Sequence, residues 1–104
     1  MNTCWVTNTI SLGMFPWAGS IRWKTIEDPR KLLAAVSGTH EIAHAIGHRD
    51  LAVLTGFPYN RESIEATAGD ILLVCQYRGP RLEEGATKLP DNAALYWYRV
   101  DVLP

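Results

Sequence analysis

The stretch "ILLVCQY" (71–77) decides the fold, because it is apolar at nearly every position. A strand with one side in solvent alternates apolar and polar residues, whereas an unbroken apolar run of this length is typical of a strand covered on both faces. Cys75 lies inside the run, so we interpret it as a small buried hydrophobe and not as part of a disulfide framework. The run predicts a central strand with packed layers on both sides.

Further strands and short helices are predicted around this central strand. Residues 21–26 alternate, with Ile21, Trp23 and Thr25 on one face, which indicates a half-buried strand. Residues 27–36 begin with acids and a proline and are followed by a glycine, as a helix with a clear start and stop would be. The remaining predictions are strands over 4–7 and 94–102, a strand within 61–70 that runs into a Gly-Asp turn, a short helix within 49–58 that ends at Gly56, and loops over 8–20 and 78–92.

Composition and element order together predict one folded domain over residues 1–104. Hydrophobic residues make up 47% of the chain and charged residues 20%, which favours a globular protein over a disordered one. The strands outnumber the helices and are interleaved with them. We therefore expect an α/β (α+β) fold, a mixed central sheet of about five to six strands flanked by a few short helices.

Charge and hydropathy restrict the partners. The net charge of −1 argues against a protein that binds duplex nucleic acid, which needs a broad basic surface, but leaves room for a compact anionic ligand. No apolar stretch is long enough to span a bilayer, and "MNTCWVTNTI" does not resemble a secretory signal. We expect no membrane partner and a soluble protein of a reducing cytoplasm, which is the host cytoplasm if the protein is viral.

The segment "HEIAHAIGHRD" (40–50) spells H-E-x-x-H-x-x-G-x-x-D, a zinc-protease signature. On a helix, His40 and His44 would share a face, and Glu41 would activate a metal-bound water. However, glycines on both sides of the motif leave little room for a long helix, and no methionine follows it to form the expected turn. A zinc protease is therefore the less favoured alternative, and we expect both histidines to be surface or edge residues of a strand or turn.

Several segments resemble one family more specifically. "VTNTISLGM", "AIGHRD", "YNRESIEATAGDILLV" and "QYRGPRLEEGATKLP" occur in the order typical of the viral ring nucleases, the type III anti-CRISPR enzymes that degrade cyclic tetra-adenylate. The resemblance runs from about Val6 to Val102. It implies a homodimer with the ligand in a cleft across the two-fold axis. A cyclic tetranucleotide can itself be two-fold symmetric, so an isologous dimer would present each residue to it twice.

The resemblance also implies a mechanism that uses neither a metal nor a cofactor. The 2′-hydroxyl attacks the neighbouring phosphorus, which leaves a 2′,3′-cyclic phosphate and a free 5′-hydroxyl. An imidazole suits protonation of the departing oxygen, and guanidinium groups suit a phosphate. Glu83 is expected to be solvated. The residues that the resemblance implies for the site are His48 and Glu84 as catalytic groups, and Ser11, Arg61, Arg81 and Arg78 as ligand-binding groups.

Two departures from the family pattern keep a second function open. Leu51 stands where the family usually has a hydroxyl residue, and the segment between His48 and Arg61 is shorter than usual. Either difference would be compatible with a protein that binds the cyclic nucleotide and sequesters it without cutting. A structural or regulatory viral protein that uses its aromatic residues for contacts is a further alternative, although core and dimer-interface positions explain those residues more simply.

Overall fold

A five-stranded mixed sheet forms the centre of the computed structural model, which describes all 104 residues. The elements in chain order are β1 (Asn2–Thr7), β2 (Ser20–Ile26), α1 (Pro29–Val36), β3 (His40–Ala45), α2 (Arg49–Thr55), β4 (Ile71–Arg78) and β5 (Ala94–Leu103), with one turn of 3₁₀ helix over Leu12–Met14. The strand order is β2-β5-β4-β1-β3. β1 pairs in parallel with β3 and β4, and β5 is antiparallel to β4 and β2. The predicted α+β class is confirmed.

β4 lies in the middle of the sheet, as its apolar run predicts. Ile71–Cys75 are buried without interruption, so successive side chains enter the cores on opposite faces. Ile71, Leu73 and Cys75 join the core that the two helices cover, whereas Leu72 and Val74 join the core on the other face. Burial raises the pKa of the Cys75 thiol to about 11, which agrees with a structural role for this cysteine.

The start of α1 and the end of α2 lie at residues that the sequence marks. The carboxylate of Asp28 accepts the backbone N–H groups of Arg30 and Lys31 and so caps α1, with Pro29 in its first turn. α2 ends at Gly56, whose φ of 77° lies in the left-handed region that glycine adopts at low cost. Neither helix has the length or the apolar content needed to cross a membrane.

The strand predicted within 61–70 is wrong, whereas the Gly-Asp turn predicted at its end is present. Residues 61–67 form no regular secondary structure and pair with no strand. Their alternation is real, since Ile64 and Ala66 are buried and the residues between them are exposed. The segment crosses the second face of the sheet and buries these two side chains against it, and the Ala66 N–H donates to the Met14 carbonyl at 2.7 Å. The alternation in the sequence therefore identified which side chains are buried. It did not show that they pack on the face of the sheet and not within it as a strand.

β2 has the predicted bounds to within one residue, but it is not half-buried within a single chain. It is an edge strand, and the side chains of Ile21 and Trp23 remain 38% and 63% exposed. Trp23 contacts only the edge of the Tyr98 ring on β5, at 5.8 Å between centroids. The apolar face of β2 is consequently uncovered.

The histidines of the zinc signature lie on β3, an edge strand, as the alternative interpretation expected. Four residues of extended strand place the Cα atoms of His40 and His44 about 13 Å apart, too far for one ion. His40 contacts the Gly69 carbonyl at 3.0 Å through Nε2, whereas His44 packs against Phe57. The helical arrangement that a zinc protease requires is absent.

Asp70 fastens the amino-terminal edge of the parallel strands. Its carboxylate accepts the backbone N–H groups of Thr3 and Thr67, each at 2.9 Å, and side-chain N–H groups of Asn2 and Trp5. Burial raises the pKa of this carboxyl, but the hydrogen bonds outweigh burial and hold the pKa below its usual value. Asp70 thus stabilises the amino-terminal ends of β1 and β4.

Candidate functional site

The carboxyl ends of the three parallel strands meet at the opposite edge of the sheet, where ligands of α/β proteins commonly bind. Asn8 follows β1, Gly47 and His48 follow β3, and Gly79 follows β4. The side-chain oxygen of Asn8 accepts the Gly47 N–H at 2.9 Å and so joins the ends of β1 and β3. The predicted catalytic histidine lies at this edge.

His48 is exposed and caps α2. Its Nδ1 accepts the backbone N–H of Leu51 at 3.3 Å. Since Nδ1 serves as the acceptor, the hydrogen of the neutral ring lies on Nε2. Nε2 makes no hydrogen bond within the chain. The local fold therefore orients the ring and leaves Nε2 free for a ligand.

His48 lines two hollows. The larger, of about 820 Å³, is also lined by residues of the loop after β4, among them Arg81, Glu83 and Glu84. Arg81 and Glu84 thus line the same hollow as His48, as the resemblance implies. Glu83 is exposed, as predicted, although it borders the same hollow.

The smaller hollow, of about 330 Å³, is lined by His48, Asn8 and Arg61. Arg61 lies close to the backbone of Gly47. If Gly47 carried a Cβ atom, that atom would lie 3.7 Å from the Cγ of Arg61. Asn60 holds this segment, because its backbone N–H donates to the Ile46 carbonyl at 2.9 Å and its side-chain amide to the His44 carbonyl at 2.8 Å. One arginine therefore borders each hollow.

The two cleft arginines are not used by the fold. The chain has ten Lys and Arg residues, but its one ion pair joins Arg99 to Asp101. Arg61 and Arg81 are exposed and form neither an ion pair nor a hydrogen bond. The two unpaired guanidinium groups near the oriented imidazole are free to bind an anion, although the carboxylates of Asp50, Glu83 and Glu84 line the larger hollow beside Arg81.

Arg78 and Ser11 are not brought to these hollows. Arg78 extends from the other face of β4, where its guanidinium lies 5.2 Å from the Tyr96 ring centroid and donates to Gln76. Ser11 is exposed at the start of the 3₁₀ turn. Within one chain, four of the six predicted site residues share the cleft, and these two lie outside it.

The loop over 79–93 is fixed at its base and at its middle. A Cβ atom on Gly79 would lie 2.8 Å from the Ala93 Cα, so this position admits only glycine. The Tyr77 hydroxyl donates to the Pro80 carbonyl, and Asp50 accepts the Gly85 N–H at 3.2 Å. The loop that carries Arg81 and Glu84 is thereby joined to the first turn of α2.

Sequence reasoning missed Asn8, Asn60 and Asp50 as residues that shape the site. Asn60 directly precedes the predicted site residue Arg61, and that adjacency is the signal that could have found it. Asn8 has only its position directly after the predicted strand over 4–7. Asp50 follows His48 by two residues. Nothing in the neighbouring sequence indicates that its carboxylate accepts a hydrogen bond from Gly85, which is 35 positions away. No group of three or more His, Cys, Asp or Glu side chains lies close enough together to hold a metal ion.

One solved structure shares this architecture along almost the whole chain. B116 of Sulfolobus turreted icosahedral virus superposes with a TM-score of 0.75 at 22% identity, over 96% of this chain and 99% of B116. No protein-family profile matches the chain, and no curated protein matches it in sequence. The chain thus has the fold of a viral protein.

Proposed function

We propose that the chain is a ring nuclease that cleaves cyclic tetra-adenylate without a metal ion and thereby counters type III CRISPR signalling. The observation that carries the proposal is the position of His48, which borders two hollows that each contain one unpaired arginine. The fold shared with a viral protein and the family resemblance of the surrounding segments support the same function.

The proposed reaction is a transesterification. The ribose 2′-oxygen forms a bond to phosphorus, and the bond from phosphorus to the 5′-oxygen breaks. His48 reacts as the imidazolium ion, which carries a hydrogen on each ring nitrogen and therefore gives up the cap bond to Leu51. Its Nε2 gives a proton to the departing 5′-oxygen, which leaves a neutral imidazole, and the proton of the 2′-hydroxyl passes to solvent or to Glu84. The products are a 2′,3′-cyclic phosphate and a 5′-hydroxyl, and the balance requires no redox partner and no added water.

The arginines supply charge stabilisation. Negative charge accumulates on the phosphate oxygens as the five-coordinate phosphorus forms, and a guanidinium can stabilise it through two parallel hydrogen bonds. Arg61 and Arg81 are free for this role, because neither has a partner within the chain. Glu84 borders the same hollow as His48, from which it can orient the ribose hydroxyl or the imidazole.

We assign the active unit as a homodimer in the host cytoplasm. A ring of four nucleotides can itself be two-fold symmetric, and that symmetry matches a pair of identical clefts. Two copies would supply two histidines and four cleft arginines to one ring.

The test is cleavage of cyclic tetra-adenylate in the presence of EDTA, with the products separated by mass. We expect linear products that end in a 2′,3′-cyclic phosphate, and we expect His48→Ala to be slower by about 100-fold or more. His40→Ala is the matched control, since His40 lies at the far end of the strand that leads to His48. Full activity of His48→Ala, or cleavage only after a metal ion is added, would contradict the mechanism.

The same experiment separates catalysis from sequestration. A sequestering protein would bind the intact ring tightly, release no product at equimolar protein, and be weakened by Arg81→Ala far more than by His48→Ala. Product formation at equimolar protein, even if slow, would exclude pure sequestration.

A further inference from the structure

β2 has a free edge, the side of the strand that points away from β5. The strand extends over Ser20–Ile26, pairs with β5 in an unbroken antiparallel register, and contains no proline or bulge that would block a further strand. Its residues are exposed except for Ile26, which is partly buried. β2 therefore keeps the regular geometry that an additional strand needs.

The backbone groups on the free edge can be identified from the neighbouring strand pair. The N–H and C=O of Val102 on β5 both bond to residues that directly precede β4, so they point away from β2. Ile21 lies opposite Val102, and in an antiparallel pair such a residue directs its own N–H and C=O to the other side. The same holds for Trp23 and Thr25, since the pattern repeats every two residues. These three residues present their N–H and C=O groups at the free edge.

Two unpaired cations flank this backbone on one face of the sheet. Arg22 and Lys24 are exposed and belong to no ion pair, since the one ion pair of the chain joins Arg99 to Asp101. On β5, Asp101 lies opposite Arg22 and Arg99 lies opposite Lys24. Three cations thus surround one carboxylate that is already paired, and the excess positive charge attracts acidic side chains.

A second copy of β2 does not fit this edge. Two identical strands related by a two-fold axis pair in antiparallel fashion, and pairing centred on Trp23 would place Arg22 opposite Lys24. Like charges directly opposite one another destabilise a strand pair. The free edge therefore favours a strand of different sequence.

A hollow adjoins the amino-terminal end of β2. It has a volume of about 530 Å³, is lined mainly by apolar residues of the 12–21 segment and by the end of β5, and includes Ile21 itself. Trp17 on its border is fully exposed. Where a peptide adds a strand to a sheet, backbone hydrogen bonds give affinity and pockets of this kind give specificity.

We infer that the free edge of β2 binds an extended segment of another protein in which apolar and acidic residues alternate. Directly opposed residues share a face of the sheet, so the acidic side chains lie beside Arg22 and Lys24 and the apolar ones beside Ile21 and Trp23. The backbone of the segment completes the hydrogen bonds of the edge. No residue of β2 lines the hollows at His48, so the inference does not depend on the proposed nuclease activity.

An NMR titration of the full chain tests the inference, with a capped peptide of the length of β2 that alternates valine and glutamate. We expect the amide protons of Ile21, Trp23 and Thr25 to move downfield and to exchange more slowly, because each gains a hydrogen bond. A peptide that alternates valine and lysine should bind at least about tenfold more weakly, since its charges repel Arg22 and Lys24. The control peptide has the valine and glutamate residues in two blocks and should leave the three amides unchanged.

Two variants locate the binding at the edge. Arg22→Glu combined with Lys24→Glu should reverse the preference, so that the lysine peptide binds more tightly than the glutamate peptide. Thr25→Pro should abolish binding while the chain stays folded, because the N–H of Thr25 makes no bond to β5 and proline is tolerated at such edge positions. Lys31→Glu is the matched control, an exposed cation on α1 whose reversal should leave the preference unchanged.

Three results would overturn the inference. The first is an alternating glutamate peptide that does not bind. The second is a block peptide that binds equally well, which would mean that charge alone attracts it. The third is a charge-reversed variant that keeps its preference for glutamate, and this test remains decisive even if Thr25→Pro fails to fold.

Discussion

His48 accepts the backbone N–H of Leu51 through Nδ1 at 3.3 Å, so one side chain both caps α2 and presents Nε2 to the cleft. The two functions of His48 can be separated by substitution. His48→Asn should keep the cap, because asparagine is a good N-cap residue, but it cannot donate a proton as an imidazolium does. His48→Ala should lose both the cap and the proton donor.

We therefore expect both variants to lose cleavage by about 100-fold or more. His48→Ala alone should also lose about 1 kcal/mol of unfolding free energy, the usual cost of removing a cap. Single-turnover cleavage and urea unfolding measure the two effects. Cleavage retained in His48→Asn would show that residue 48 contributes only the helix cap and not a proton.

Arg81→Ala should weaken binding of the ring by roughly 10- to 100-fold, the usual effect of removing a hydrogen-bond donor to a charged group. Arg81→Lys should recover only part of the affinity, since an ammonium cannot form the bidentate pair. Arg22→Ala is the control, because Arg22 is exposed on the edge strand β2. Titration calorimetry with the inactive His48→Ala background measures binding alone, and equal affinities for the Arg81 and Arg22 variants would remove Arg81 from the site.

Gly79→Ala should displace the loop over 79–93, because its new Cβ would meet the Cα of Ala93 at 2.8 Å and the Cβ of Ala93 at 2.7 Å. We expect cleavage to fall by at least about tenfold, since misplacing positioned groups by an ångström has effects of this size. Gly38→Ala, where a Cβ has nothing within 4 Å, is the matched control. An active Gly79→Ala variant would mean that the loop is not needed at its present position.

Asp70 should make stability depend on acidity. Its pKa is lower in the folded chain than in the unfolded one, so the stabilisation is complete above the ordinary value of about 4 and is lost as the pH falls through the lowered pKa. Asp70→Asn should cost roughly 2–4 kcal/mol at pH 7, because several donors lose a charged acceptor. Urea unfolding from pH 7 to pH 2 measures this, with the exposed Asp91→Asn as control. If the Asp70 and Asp91 variants were equally stable at pH 7, the network would not be a major stabiliser.

The two cysteines should react with thiol reagents only when the fold opens. Burial is the main cause that raises the pKa of Cys4 and of Cys75 to about 11, and both side chains are almost completely buried. We expect negligible labelling by a disulfide reagent at pH 8 in the native chain and rapid labelling in denaturant. Labelling rates that follow the global unfolding equilibrium would confirm that both thiols are core residues, whereas fast native labelling would contradict it.

Most of the fold could be predicted from local patterns. The unbroken apolar run identified β4 as the central strand, and the proline and glycine signals located the helices. Residues 61–67 were mistaken for a strand because alternation reveals which side chains are buried but not whether they pack beside a sheet or upon it. The exposure of β2 could not be predicted either, since alternation does not show whether the same chain provides the cover.

The candidate site was predicted less completely, for a reason of strand geometry. Alternate residues of β4 point to opposite faces, so Arg78 lies with Gln76 on the face of the sheet opposite the helices, whereas the turn at Gly79 directs Arg81 back to the cleft. Arg78 and Arg81 were therefore assigned to one site because they are close in sequence, but the sheet places them on opposite faces. The resemblance supplied His48, and its role as a cap became visible only in the folded chain.

The contact between Gly79 and Ala93 has a consequence for how such proteins diverge. The chain leaves β4 and enters β5 at neighbouring positions, immediately beyond the last pair, Arg78 and Ala94. Insertions, deletions or exchanges of the intervening residues can thus be accommodated without shifting the register of either strand. Under the proposed function, a preference for ring size would change through this one loop, while the rest of the domain is inherited unchanged.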